Sequence, residues 1–164
     1  MEQPIIQATK SPGEPDINGP CLLLVNPFEA HYAATMVKKK HGAIHRLFHC
    51  QLMSFNQEGA APSYWAGPTV GAPMAVMTLE KLIALGCQKL LVMAWCGALV
   101  PELSVGDIFL PTWGQSEEGV SAHYPLTKQP QASTTLLTKL QNHFPDAQQG
   151  PIWTTDAPYR ELPS

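Results

Sequence analysis

The chain has 164 residues, enough for one domain with a substantial core. Its net charge of −3 and a single basic run, Val37 to Lys40, exclude the broad positive footprint of a nucleic-acid binder. Only 14% of residues are charged, against about 25% in ordinary globular proteins, so part of the surface is expected to be covered in a homo-oligomer or by further chain.

In chain order, residues 1–20 are polar and proline-rich and are expected to form an arm, with 21–164 as one α/β domain. The arm lacks the charged-then-apolar order of a secretory leader. "CLLLV" (Cys21 to Val25) reads as a short buried strand ended by Asn26-Pro27. "FEAHYAATMVKKKHG" has helical character, with Gly42 as its expected cap. "LFHCQLMSF" (Leu47 to Phe55) reads as one strand, "NQEGAAPS" as a turn, and "YWAGPTVGAP" as a strand entering a Gly/Pro-rich bend. "MAVMTLEKLIALG" places Ala75, Val76, Leu79, Leu82 and Ile83 on one helical stripe closed by Gly86. The strands "KLLVMAW" and "DIFLP" (Asp107 to Pro111) follow, then a helix from Ala132 to Phe144 with Leu136, Leu137 and Leu140 as its core face. "GPIWTTDAPYRE" reads as a last strand running into a polar turn. Strands alternating with helices predict an α/β layered fold. The longest apolar run, Leu90 to Val100, is about half of the roughly 20 residues a membrane span needs. A soluble, cytoplasmic protein without membrane partners is expected.

Neither GxGxxG nor GxxxxGK[ST] occurs, so no dinucleotide or P-loop cofactor is expected. "VGAP" (Val70 to Pro73) opens a helix and could meet an anion through free N–H groups, although tight strand–helix packing explains the glycine equally well. His41, His45 and His49 recur every four residues, as a helical metal site would require. Gly42 and the β-like segment after it oppose that, and surface histidines are the default reading. Cys96, between a strand and Gly97, has the outline of a nucleophile elbow, with His123 as its candidate base. Apolar neighbours raise a thiol's pKa, so a small buried cysteine is the preferred reading. The densest polar clusters, "QSEEGVSAHY" and "TTDAPYRE", could line a pocket or simply build turns.

The order of segments is more telling. "VGAPMAVMTLEKLIALGCQKLLVMAWCGALVPELSVGDIFLPTWGQSEEGVSAHYP", followed by "GPIWTTDAPYRE", resembles the purine nucleoside and uridine phosphorylase family. There a Gly-Pro bend opens a helix ending in Leu-Gly, and the next strand runs into Arg-x-Gly-Thr-x-Gly-Ala. Gly-Asp, a further strand and an Asp/Glu-Gly-x-Ser-x-His-Tyr/Phe segment follow. The resemblance spans about Cys21 to Glu161. It implies a mixed central sheet flanked by helices, and cleavage of a nucleoside's N-glycosidic bond by phosphate. It also implies contacts to a nucleoside or base from the backbone of Ala94, Trp95, Cys96 and Gly97, and from the side chains of Glu118, His123, Asp156, Tyr159 and Arg160. It assigns no catalytic residue and no metal.

The departures concern the anion. The family's strand-end arginine falls on Val92, its glycine on Ala94 and its phosphate-binding threonine on Trp95; a second phosphate arginine falls on Glu29. A buried dianion without cations is very costly. The resemblance therefore implies a lost phosphate site, with the Trp95 indole expected to be buried in its place. It leaves two readings open: a nucleoside-cleaving or nucleoside-binding protein, and a non-catalytic binding or assembly module. The stacking aromatic aligns with Pro158, and the chain stops at Ser164, before the family's Met-Glu ribose-binding segment. A truncated member or a longer native chain is implied.

Overall fold

The computed structural model describes residues 4–56, 59, 61–124 and 128–162, and the chain divides into two compact units, Met1–Trp95 and Cys96–Ser164. In the first unit strand β1 (Cys21–Leu24) leads into helix α1 (Pro27–Lys39). Strands β2 (Ala43–Arg46), β3 (Gln51–Phe55) and β4 (Ser63–Gly67), helix α2 (Ala72–Ala84) and strand β5 (Leu90–Met93) follow. The sheet order is β2-β3-β4-β1-β5. β4, β1 and β5 are parallel, whereas β2 and β3 join antiparallel, which gives the mixed sheet expected from the sequence.

The alternation of strand side chains decides what each helix covers. Cys21 and Leu23 of β1 pack with Leu82 and Leu85 of α2, while Leu24 packs with Ala30, Ala33 and Val37 of α1. Burying each such leucine contributes about 1.5–3 kcal/mol. Ile17, buried ahead of β1, donates its N–H to Leu85 O at 2.8 Å, and Lys81 pairs with Glu14 at 2.6 Å, so the chain from Glu14 to Ile17 is tied to α2.

Local chemistry explains the helix ends. The Asn26 side chain accepts from Phe28 N at 2.9 Å and Pro27 takes the first helical position of α1. α1 closes with paired bonds from His41 N to Lys38 O and from Gly42 N to Val37 O. The left-handed residue is His41 (φ 53°), not the expected Gly42. Gly42 is required for space, since a Cβ there would lie 2.5 Å from Ser54 O. α2 ends in the same motif at Gly86 (φ 104°).

Three sequence expectations are corrected. Leu47–Phe55 is not one strand: Ala43–Arg46 forms β2, a turn follows, and β3 begins at Gln51. The buried face of α2 is Thr78, Leu82 and Leu85, and Ile83 is 58% exposed. Thr78 is tolerated inside because its hydroxyl donates to Met74 O at 2.8 Å and lies 2.7 Å from His49 Nε2. Finally, His41, His45 and His49 share no helix face: they lie past the end of α1, in β2 and in the β2–β3 turn.

The second unit contains strand β6 (Phe109–Glu117), helix α3 (Thr134–His143) and strand β7 (Gln148–Thr155). β6 and β7 pair in parallel with a register shift between Pro111 and Trp113. That irregularity lets the strand continue beyond the expected stop at Pro111, because proline has no N–H to give a regular ladder. Leu136, Leu137 and Leu140 of α3 are half-buried. The expected turn over 56–63 lies partly outside the described residues.

Candidate functional site

In the first unit the candidate site is the carboxyl end of the parallel strands, where ligands of open α/β sheets bind. Leu24 is in register with Met93, and Val25 N donates to Met93 O at 3.0 Å, so β1 and β5 end side by side. Thr69, fully buried, caps this edge: its N–H reaches Val25 O at 3.2 Å and its hydroxyl Leu24 O at 3.4 Å. Gly67 lets β4 close on β1, since a Cβ there would stand 2.4 Å from Leu24 O. Sequence reasoning missed both, although the threonine within "GPTVGAP" was their signal.

Ala94 and Trp95 continue from β5, and both are exposed. Trp95 is 70% exposed, which corrects the expectation of a buried, space-filling indole. Its neighbour Val92 is 60% exposed. No lysine or arginine occurs from Val25 to Glu29 or from Val92 to Gly97. Glu29 lies in the first turn of α1, where the helix dipole favours an anion, and its Oε2 is buried without a donor among the described residues.

An open groove of about 520 Å³ also lies in this unit, between α1, the β2–β3 turn and Gly67-Pro68. His49 on its wall is held through Nε2, 3.1 Å from Met74 O. Its Nδ1 is buried and has no hydrogen-bond partner among the described residues.

In the second unit, five predicted residues follow the carboxyl ends of β6 and β7, where Glu117 is in register with Thr155. Asp156 accepts from Gly119 N at 3.0 Å and joins the two chain segments. Glu118 turns back onto its own loop. It accepts from the Ser121 hydroxyl, from Ser116 Oγ at 2.7 Å, from Val120 N at 2.7 Å and from Ser121 N at 3.1 Å. The Ser121 hydroxyl and then the Ser116 hydroxyl pull its carboxyl down to about 2. His123 ends the one-turn 3₁₀ segment Ser121–His123 that this carboxylate holds, and Tyr159 and Arg160 belong to a second, Pro158–Arg160. Tyr159 is 95% exposed. Cys96 is exposed, which corrects the preferred reading of a buried thiol, and among the described residues no hydrogen bond joins it to His123. Gly97 is exposed with open space around it.

The Glu118 loop gives a prediction with a definite sign. A carboxyl depressed in the folded state stabilises it above the unfolded pKa of about 4.3. That contribution is lost as pH falls from about 4.3 towards 2. Protection of the Ser121 amide, taken against its intrinsic exchange rate at each pH, should fall across that interval in the native protein. In Glu118→Gln it should already be low at pH 5, and an unchanged Glu118→Gln profile would remove the capping role.

The chain is similar to several known proteins. A curated guanosine phosphorylase from Halorubrum lacusprofundi is 32% identical over 97 residues, covering 56% of this chain and 40% of that protein. An uncharacterised protein of Acanthamoeba polyphaga mimivirus is 29% identical over 122 residues, covering 73% and 49%. The chain thus spans about half the length of the curated relatives it matches. Among solved structures, a Toxoplasma gondii purine nucleoside phosphorylase in complex with immucillin-H superposes with a TM-score of 0.73 at 20% identity, covering 91% of this chain and 62% of that one. A Vibrio fischeri uridine phosphorylase gives 0.74 at 14% identity, covering 86% and 60%. The fold is therefore that of the nucleoside phosphorylases. A family model described as "Phosphorylase superfamily" matches residues 21–164, and with nearly the whole chain inside that match the protein belongs to the phosphorylase superfamily.

Proposed function

We propose that this chain binds a nucleoside or free base at the β5 strand end and does not use phosphate as a nucleophile. The observation that carries this reading is the Glu29 carboxylate oxygen, buried without a donor beside strand ends that hold no lysine or arginine. A phosphate there would face an uncompensated anion rather than the cations its own charge requires. The exposed Trp95 indole supplies a flat apolar face for a base. Glycosidic cleavage by this chain would use water: its oxygen bonds to the anomeric carbon, the C–N bond breaks, and the base leaves with a proton. If a nucleoside binds but no base is released, the protein is the non-catalytic binding module instead. The same reading carries a cytoplasmic location and a homo-oligomer, the latter from the scarcity of charge. Among the described residues no helix is long and apolar enough to cross a membrane.

Calorimetric titration of the protein with inorganic phosphate should give no saturable isotherm in the low-millimolar range. Glu29→Arg, which returns a cation to the first turn of α1, should gain measurable phosphate binding. Saturable phosphate binding by the unmodified protein would overturn the reading.

A further inference from the structure

We propose that Cys21 and Cys87 form a dithiol pair that an oxidant closes to an intramolecular disulfide, fastening β5 to β1. Both thiols are free, buried and members of one contiguous core cluster. The Lys89 carbonyl brings them together: it accepts from Cys21 N at 2.9 Å and from the Cys87 thiol at 3.5 Å. The parallel register, Cys21 opposite Leu90, fixes Cys87 just upstream of β1's own neighbour. Burial first, and then the facing Cys87 thiol, push the Cys21 thiol up. The other two cysteines lack such a partner: Cys50 lies 3.7 Å from the Thr78 hydroxyl, and Cys96 is exposed.

The pair differs from a fast redox sensor. Both sulfurs are buried, so reaction with an oxidant requires local opening. Among the described residues β5 is an edge strand whose only strand partner is β1, so it can open without breaking any other strand pairing. With a diazene oxidant such as diamide, one thiolate adds to the N=N bond. The second thiolate then displaces the reduced hydrazine as the S–S bond forms, so that two thiol protons and two electrons pass to the nitrogen pair. The product ties the entry of β5 to the start of β1, and the β5 end carries Ala94 and Trp95.

The test treats the whole chain with diamide at pH 8 in urea below its unfolding transition. Remaining thiols are alkylated after denaturation, and the monomer is digested for mass spectrometry without reductant. The expected result is a Cys21–Cys87 linked peptide, with a melting temperature raised by about 5–10 °C and returned by dithiothreitol. Cys87→Ala should show neither change. Alkylation of both Cys21 and Cys87, or a link from either one to Cys50, would overturn the pairing. A linked peptide without any rise in melting temperature would overturn the fastening role.

Discussion

Leu82→Ala should destabilise the first unit by about 2–5 kcal/mol, whereas Ile83→Ala, one position along the same helix, should change stability by less than about 0.5 kcal/mol. Leu82 is fully buried in the cluster that joins α2 to Cys21, Leu23, Leu52 and Ala66 of the sheet. Removing its isobutyl group deletes these contacts and leaves a cavity. Ile83 is 58% exposed and has little to lose. Urea titrations of the two variants separate the observed helix face from the face expected from the sequence. Equal losses for Leu82→Ala and Ile83→Ala would mean that α2 is rotated from this orientation.

That comparison shows what was legible in the sequence. Apolar runs with strong punctuation, such as "CLLLV" before Asn26-Pro27 and the helix ending at Gly86, fell where expected because local rules decided them. The stripe on α2 was right at Ala75 and Leu82 and wrong at Ile83, because counting apolar residues cannot anticipate a buried threonine. Thr78 belongs inside only because His49, from a distant turn, and Met74 O meet its hydroxyl. β2 went unread because "AIHR" carries a histidine and an arginine with no clean alternation; its pairing with β3 makes it a strand. At the site, the absence of lysine and arginine from Val25 to Glu29 and from Val92 to Gly97 was legible in the sequence, and the family resemblance is borne out. The exposure of Trp95 was not, because a strand-end residue can turn either way and sequence does not record which side is already filled.

Trp95→Thr should therefore leave the melting temperature within about 2 °C of the parent while weakening nucleoside binding by roughly 5- to 150-fold. The range follows from base–aromatic stacking worth about 1–3 kcal/mol, with tenfold in affinity for each 1.4 kcal/mol. An indole that is 70% exposed makes few contacts within its own chain, so its removal costs little stability. Had it filled a vacated anion site, the same substitution would cost about 3–5 kcal/mol, as for other buried large aromatics. Guanosine, inosine and uridine, titrated against both proteins with thermal melts in parallel, discriminate these cases. Free base measured in the same samples, against a heat-denatured control, tests cleavage. Base release above the control would show cleavage by water, and its absence with binding retained would leave the binding module. A large fall in melting temperature with unchanged nucleoside affinity would show that Trp95 is a packing residue and remove it from the binding site.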